Sequence, residues 1–361
     1  MSNPRIQSFS FLLVILWVIW MPLSIAVAAE DSTSPSSVKA VKLVGAGATF
    51  PAPLYQRWFR DYYLQHKNVR VDYQGIGSGA GITNFKGKRL DFAGSDLPLS
   101  AEEIAEVHGG ALQFPMTAAA IVFAYNLPGV ETINLSRKAL VSLFLGQIQR
   151  WNDPLIAESN PGLALPDLAV TLVVRSDASG TTYATTRYLS AISDSFAQKV
   201  GTTMSPAWPK ILQERGRLVG GRGNGGVAAS VRAIPGALGY VEYTFAHLGG
   251  IPMASIENKS GAFVAAESQS FKAAVDAFRA KLTDLGPTSF FDPAGAGSYP
   301  ILNLSWLLVH QRYENPNKAH ALKNLIRYCL TDGQKVVEPL GYIPFREEVV
   351  TRILEKAATI Q

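Results

Sequence analysis

Short apolar runs alternate with amphipathic helical patterns along this chain, and this alternation limits the possible folds more than any other feature. Several runs are continuously apolar, as strands buried in a sheet are. Leu54, Trp58, Phe59 and Tyr62 recur at helical spacing after Pro53. The alternation predicts an α/β architecture with mainly parallel sheets. The predicted strands are residues 69–73, 90–93, 119–125, 169–174, 239–243 and 301–309; further predicted helices are 136–145, ended by Gly146, and a pattern of Phe271, Val275, Phe278 and Leu282.

The N-terminal segment has the parts of a secretory signal peptide. Arg5 precedes an apolar run over residues 9–25, and the small residues 26–29 close it. A transmembrane anchor is the alternative, because the run approaches the length that spans a bilayer; Pro22 and Ser24 favour cleavage. We therefore expect a signal peptide at 1–29, a polar linker at 30–38 and a soluble mature chain. The remainder of the 361 residues exceeds what one core usually organises, which predicts two lobes.

The cysteine, histidine and charge content argues against several classes of function. The chain has 1 cysteine, Cys329, which precludes an intrachain disulfide and lies in an apolar helical pattern typical of a buried thiol. With 5 scattered histidines there is no metal-ligand spacing. Net charge is +5 with Lys and Arg dispersed, unlike a nucleic-acid surface. We expect no cofactor, no metal and no nucleic-acid partner.

Two glycine-rich loops have the chemistry of an anion site. Residues 45–51 lie ahead of the first helix, where glycines allow close approach and free amides face an anion. Thr49 adds a hydroxyl, although a simple helix cap by Thr49 is an equal alternative. Residues 75–81 follow a strand with four alternate glycines, and their G-x-G-x-G spacing is not a dinucleotide fingerprint. This pattern favours a backbone nest with Ser78 as donor.

A third loop, residues 175–182, follows another predicted strand. It combines backbone amides, two hydroxyls and the Arg175 guanidinium, whose fork matches two oxygens of a tetrahedral anion. Asp177 is predicted to pair with Arg175 and hold it. The alternative is a Ser/Thr-capped helix with a surface salt bridge.

Asp96 ends a buried strand and adds a carboxylate to the other groups. Phosphate near neutral pH still carries a proton, since the second pKa of its esters is about 6. An ionised carboxylate can only accept hydrogen bonds, so Asp96 can pair with that P–OH. Sulfate has no such proton and would meet unrelieved repulsion. Ser100 and Glu103 form a separate capping-box pattern for the helix that follows.

The stretch 221–226 satisfies G-x-G-x-x-G before a helical segment at 227–233. A lone match is weak, and no clear strand precedes it. We interpret it as a helix-start loop at the edge of a cleft, with Arg222 a solvated side chain.

Six stretches in order resemble the periplasmic phosphate-binding proteins of the phosphate ABC transporter, the PstS family. They cover nearly all of the chain after its N-terminal segment, and they are GAGATFPAPLYQRW (45–58), YQGIGSGAG (73–81), DFAGSDLPLS (91–100), RSDASGTT (175–182), GRGNGGVAA (221–229) and PGALGYVEY (235–243). The resemblance implies a two-lobed Venus-flytrap fold of type II with two crossover strands, near 114–118 and 298–301. The implied lobes are 39–117 with 300–361, and 118–299.

The resemblance also implies a set of phosphate-binding residues and one supporting residue. Asp177 would buttress Arg175 from outside the ligand shell. Two departures from the family pattern are Gly79-Ala80-Gly81, where a second Ser is common, and Ala178, where Gly is common. The implied ligands are Ala48, Thr49, Phe50, Ser78, Asp96, Arg175, Ser179, Gly180 and Thr181.

The implied function is capture of inorganic phosphate in the periplasm and delivery to a permease and ATPase complex in the inner membrane. The protein would act as a monomer and without catalysis. One alternative is a secreted phosphatase-like enzyme with Ser78 or Ser179 as nucleophile, although neither has a histidine nearby in sequence. Another is a receptor for sulfate or molybdate, against which Asp96 argues.

Overall fold

The computed structural model describes residues 40–277 and 290–361 of the chain. The predicted signal peptide at 1–29 and linker at 30–38 lie outside the described residues, as do Phe278 and Leu282. The strands are β1 Val41–Gly47, β2 Val69–Gly75, β3 Phe92–Ser95, β4 Ala111–Tyr125, β5 Asn134–Leu135, β6 Thr171–Arg175, β7 Leu218–Gly221, β8 Ala237–Glu242, β9 Ser255–Glu257, β10 Phe263–Val264, β11 Phe290–Phe291 and β12 Ile301–His310.

Helices connect most of these strands, and two short 3-10 helices, Asp332–Val336 and Glu338–Leu340, follow the penultimate α-helix. The α-helices are α1 Ala52–Gln65, α2 Ser78–Lys86, α3 Ala101–Ala105, α4 Arg137–Phe144, α5 Pro154–Ala157, α6 Gly180–Ile192, α7 Asp194–Lys199, α8 Lys210–Glu214, α9 Gly223–Ala233, α10 Tyr243–Leu248, α11 Ser268–Ala277, α12 Pro316–Leu330 and α13 Glu347–Ala357.

The strands of the main sheet run in the order β2-β1-β3-β12-β4-β8-β6-β7, with β11 beside β12. The two ends are parallel, as predicted: β1 pairs with β2 and β3, and β6 with β7 and β8. The centre is not, because β12 is antiparallel to β3 and β4, and β4 is antiparallel to β8. The prediction of mainly parallel sheets is therefore wrong at the centre, where long strands join two parallel halves.

The long strand β4 belongs to both halves of this sheet. Its residues 111–120 pair with β12, and its residues 121–125 pair with β8. β4 therefore runs through both α/β halves of the sheet. β12, the partner of residues 111–120, begins at Ile301. The lobe boundaries 39–117, 118–299 and 300–361 remain a prediction.

All six predicted strands form, with shifted ends, and two further strands appear near the glycine-rich loops. β1 includes Gly45 and Gly47, which the sequence suggested were loop residues. Glycine is needed in this strand because a Cβ at Gly45 would lie 2.2 Å from the Phe92 ring and one at Gly47 2.1 Å from the Gly94 carbonyl oxygen. β7 leads directly into α9, so the expectation that no strand precedes 221–226 is wrong.

The core is formed by apolar faces of the helices packed on both halves of the sheet. Leu54, Trp58, Phe59 and Tyr62 of α1 are buried, as their spacing predicts. Cys329 is buried in α12 as a free thiol. In the part of the chain that the structure describes, no helix is both long and apolar enough to span a membrane.

Candidate functional site

The predicted loops follow the carboxyl ends of strands from both halves of the sheet. β1 leads into the 48–51 loop before α1, β2 into α2, and β6 into α6. Helices begin at Ser78, Gly180 and Gly223, so their first backbone N–H groups lie at these strand ends. Such helix starts favour negative charge through the helix dipole.

Asp96 is buried directly after β3, with 3% of its surface exposed. One carboxyl oxygen accepts a hydrogen bond from Ser305 at 2.9 Å, and the other lies 3.4 Å from the Ser78 hydroxyl. Burial raises the pKa of Asp96 to about 7, against the opposing effects of Ser305, Arg175 and Ser78. This is the one predicted site residue that can accept a hydrogen bond from a ligand through a carboxylate.

The Arg175 guanidinium is almost completely buried and forms the predicted ion pair with Asp177. Its Nε donates to Asp177 Oδ1 at 2.8 Å, and its Nη1 donates to the Thr181 hydroxyl at 3.3 Å. Burial raises the pKa of Asp177, but the hydrogen bond and charge of Arg175 more than offset this and leave it below its ordinary value. The Gly223 amide also donates to Asp177, at 3.0 Å.

The loops from the two halves approach each other through glycines. A methyl group on Gly180 would lie 2.5 Å from Asp96 Cβ and 2.6 Å from Ser78 Oγ. The Gly79 amide donates to the Ala178 carbonyl at 3.1 Å, and a methyl group there would lie 2.6 Å from Ala178 Cβ. The two departures from the family pattern therefore meet: Gly79 leaves space for the extra methyl of Ala178.

In the first loop, the structure does not leave Ala48 available for its predicted role as a backbone donor to the anion. The Ala48 amide donates to the Gly94 carbonyl at 2.8 Å, so it is not a free donor. Within the described residues no acceptor is recorded for the amides of Thr49 and Phe50. Helix α1 is preceded by Pro51 without a side-chain cap, which argues against Thr49 as a simple helix cap.

The third loop combines free amides with a capped helix. Ser179 caps α6, and its hydroxyl accepts from the Thr182 amide at 3.1 Å. Its own amide donates to Met204, whereas no acceptor is recorded in the described structure for the amides of Gly180 and Thr181. Helix capping and a free Ser179 hydroxyl hydrogen are compatible, since the hydroxyl serves the cap only as acceptor.

Asn224, in the first turn of α9, was not predicted to have a role. It is fully buried and contacts predicted residues of both halves. Its amide nitrogen Nδ2 lies 3.0 Å from Thr49 Oγ1 and 3.3 Å from Thr181 Oγ1. The 221–229 stretch was recognised as a family motif, but nothing in it reveals a contact with Thr49, 175 residues away.

Glu242, the last residue of β8, is a second buried carboxyl that sequence reasoning missed. Its Oε1 accepts from the Thr244 amide and lies near the Thr244 hydroxyl, both at 2.9 Å. Its Oε2 lies 3.5 Å from the Tyr342 hydroxyl, which donates to the Phe50 carbonyl at 2.7 Å. Burial raises its pKa to about 8, opposed by Thr244 and Tyr342.

This arrangement presents many hydrogen-bond donors and one carboxylate acceptor. Neither Ser78 nor Ser179 hydrogen-bonds to a histidine among the described residues, so no activated serine pair is recorded there. Over residues 40–277 and 290–361, no group of three His, Cys, Asp or Glu side chains is placed to hold a metal ion. The chemistry that these groups perform best is recognition of a small oxyanion.

Comparison with known sequences places the chain in a family. A model described as a PBP superfamily domain matches residues 27–332. The phosphate-binding protein PstS of Pasteurella multocida (strain Pm70) is 38% identical over 325 residues, which cover 89% of this chain and 91% of that protein. This chain belongs to the PstS family of the PBP superfamily. The phosphate-binding protein PstS of Methanocaldococcus jannaschii is also 38% identical, over 84% of this chain and 82% of that protein.

Solved structures show the same fold at lower sequence identity. The high-affinity periplasmic phosphate-binding protein PfluDING, solved with bound phosphate, superposes with a TM-score of 0.69 at 22% identity, covering 87% of this chain and 93% of that one. The phosphate-binding protein from Stenotrophomonas maltophilia gives a TM-score of 0.67 at 19% identity, with coverage of 88% and 94%. Both support the two-lobed periplasmic-binding-protein fold.

Proposed function

We propose that this chain is a non-catalytic receptor for inorganic phosphate, exported to the periplasm, that delivers its ligand to an ABC permease and ATPase in the inner membrane. Its membership of the PstS family and the names of its relatives support phosphate as the ligand. Lobe closure by hinge motion brings the donors of both halves around one dehydrated anion. The protein works as a monomer in this proposal.

The proposed ligand shell combines donors that have no recorded acceptor among the described residues with two that already have a partner, the Ser78 hydroxyl beside Asp96 and Arg175 beside Asp177. In the first half, the amides of Thr49 and Phe50 and the hydroxyls of Thr49 and Ser78 face the anion. In the second half, Arg175, the Ser179 hydroxyl, and the amides of Gly180 and Thr181 complete it, with the Thr181 hydroxyl. Ala48 is left out as a donor because its amide is bonded to Gly94. Asp177 holds the Arg175 fork from outside the shell.

The buried position of Asp96 between these donors carries the proposal. Its pKa of about 7 lies near the second pKa of a phosphate ester, about 6. One proton can therefore sit between Asp96 and a phosphate oxygen over the neutral pH range. Sulfate brings no proton at this pH and would leave two sets of lone pairs facing each other at a buried site.

Titration calorimetry with phosphate and with sulfate tests this assignment. We expect the exported protein to bind phosphate and to give no binding heat with sulfate. In Asp96→Asn, the affinity for phosphate should fall by roughly 10- to 100-fold, the range of a lost charged hydrogen bond, and that for sulfate should rise. Asp91→Asn is the matched control, because Asp91 precedes the same strand and pairs with Lys318 instead.

Equal binding of both anions by the unmodified protein would overturn the role of Asp96. Turnover of a phosphate ester that disappears in Ser78→Ala would overturn the non-catalytic proposal. Export has its own test, since mass spectrometry of the periplasmic protein should find an N-terminus close to residue 30.

A further inference from the structure

We infer that Asn224 is a positioning residue that makes the hydroxyls of Thr49 and Thr181 obligate hydrogen-bond donors toward the anion, an inference that rests on the phosphate function proposed above. A threonine hydroxyl ordinarily both donates and accepts, with one hydrogen and two lone pairs. Such a group can satisfy an anion oxygen or a protonated one equally well. A hydroxyl whose lone pairs are both occupied can only donate.

The orientation of the Asn224 amide is fixed by its partner on β8. Its Oδ1 accepts from the backbone amide of Glu242 at 3.1 Å. A backbone N–H can only donate, so the oxygen of the side-chain amide must face Glu242. The nitrogen Nδ2 then faces Thr49 and Thr181, with one hydrogen available for each hydroxyl oxygen.

Both threonine oxygens are filled by donors in this way. Thr49 Oγ1 accepts from Asn224 Nδ2 at 3.0 Å and from the Asn224 backbone amide at 3.1 Å. Thr181 Oγ1 accepts from Asn224 Nδ2 and from Arg175 Nη1, each at 3.3 Å. Two lone pairs are occupied in each case, and no described residue receives the hydrogen of either hydroxyl. Each hydrogen must therefore be donated to something else in the cleft.

The Thr49 methyl group also lies close to the backbone of both halves. This group, Cγ2, lies between two glycines, and a Cβ on Gly75 or Gly223 would be 2.9 or 3.0 Å from it. Thr49 and Asn224 come from different halves of the sheet, after β1 and β7 respectively. The contact that directs the Thr49 hydroxyl thus forms between the two halves.

The consequence for recognition is that two of the hydroxyls around the anion cannot take the ligand proton. With Thr49 and Thr181 restricted to donating, neither hydroxyl can accept the proton of a protonated anion oxygen. Asp96 is then the acceptor for it. Asn224 does not contact the ligand itself, and in this way it supports the selectivity that Asp96 provides.

A double-mutant cycle on phosphate affinity tests this inference. Asn224→Ala removes one of the two donors from each hydroxyl oxygen, and we expect an affinity loss of about tenfold or more. Thr49→Val removes the donor itself. If Asn224 acts through that donor, the double variant should bind at least about fivefold better than the product of the two single losses predicts, within the coupling range of contacting residues.

Asn160→Ala is the matched control. Asn160 is also a buried asparagine with three hydrogen bonds to the backbone, but its partners are Asn134 and Ile156. We expect it to lower stability, to leave phosphate affinity within about twofold, and to show no coupling with Thr49→Val. A merely structural Asn224 would couple to Thr49 in the free energy of unfolding but not in affinity.

Asn224→Asp provides a second variant that keeps the side-chain shape. Its new oxygen draws the hydroxyl hydrogens of Thr49 and Thr181 away from the anion, so the affinity loss should exceed that of Asn224→Ala. The inference is overturned if both variants fold and bind within twofold of the unmodified protein, or if affinity shows no coupling. Failure of the unmodified protein to bind phosphate would overturn the proposed function first, and this inference with it.

Discussion

Asp96 and Glu242 are both buried carboxyls at the end of a strand, but the groups that surround them differ. Asp96 faces the loops of both halves, with Ser78 and Gly180 beside it. Glu242 is enclosed by Thr244 and Tyr342. Burial raises the pKa of both, to about 7 and about 8. A raised pKa therefore does not by itself distinguish a ligand-binding acid from a structural one; the neighbouring donors do.

The hydrogens around Glu242 can be counted. The Thr244 hydroxyl has one hydrogen and lies 2.7 Å from the Leu340 carbonyl oxygen and 2.9 Å from Glu242 Oε1. A carbonyl can only accept, so this hydrogen goes to Leu340, and the contact with Glu242 needs a hydrogen from the carboxyl group. Tyr342 cannot supply another, because its hydrogen is donated to Phe50. The count is consistent with a protonated Glu242 carboxyl and agrees with its raised pKa.

Of the substitutions that distinguish the Asp96 region from the Glu242 region, Gly180→Ala is expected to have the largest effect on phosphate affinity. The added methyl would lie within 3 Å of Asp96 and Ser78, so the two halves cannot close as they do here. Phosphate affinity should fall by more than about 100-fold, since the donors of both loops lose their common geometry. Calorimetry measures the loss, and circular dichroism checks that the variant is folded.

Gly225→Ala is the control for this substitution. Gly225 also lies in the first turn of a helix, but it is exposed and an added Cβ would be 3.8 Å from Phe245. We expect unchanged affinity and a slight gain in stability from the better helix former. Normal phosphate binding by Gly180→Ala would contradict the close approach of the two halves at Asp96.

The pH dependence of stability should distinguish Asp96 from Glu242, because each lowers stability over a different pH range. A folded-state pKa above the unfolded value means that the native protein holds a proton the unfolded chain has lost, so stability falls as pH rises through this range. The window is 3.8 to about 7 for Asp96 and 4.5 to about 8 for Glu242. Each contributes a fall of at most about 1.4 kcal/mol per pH unit.

Urea unfolding at a series of pH values measures these contributions. Asp96→Asn and Glu242→Gln cannot titrate, so the stability of each relative to the unmodified protein should increase with pH across its own window and then level off. Between pH 7 and 8, only the stability of Glu242→Gln relative to the unmodified protein should still increase. Parallel pH profiles for all three proteins would show that neither carboxyl is buried with a proton.

The sequence predicted the halves of the fold better than their junction. Glycine and hydroxyl residues at strand ends indicated the loops around Ser78 and Asp96, because local chemistry is visible in a short stretch. The antiparallel centre was missed, since the direction of β12 against β3 and β4 depends on pairing between segments far apart in the chain. β1 was missed because packing against Phe92 requires Gly45, and the close approach of the Gly94 carbonyl requires Gly47, neither of them for a turn.

The same limit applies to the candidate site. Arg175 and Asp177 are two residues apart, so their pairing could be predicted from the sequence. The bond from Asn224 to Thr49 and that from Tyr342 to Phe50 join residues 175 and 292 positions apart. No local pattern distinguishes this asparagine or this tyrosine from an ordinary buried side chain. The hydrogen bond from the Ala48 amide to the Gly94 carbonyl likewise depends on the pairing of β1 with β3, which the sequence does not show.

The smallest effect should come from Glu242→Gln on anion binding. The Glu242 carboxyl contacts Thr244 and Tyr342 and none of the proposed phosphate-binding residues. Asn224 is held by the backbone amide of Glu242, which the substitution keeps. Phosphate affinity at pH 7 should stay within about threefold, and sulfate should still be rejected. Calorimetry beside Asp96→Asn makes the comparison direct. If Glu242→Gln also acquired sulfate binding, the selectivity would belong to the buried negative charge of the whole cleft instead of to the position of Asp96.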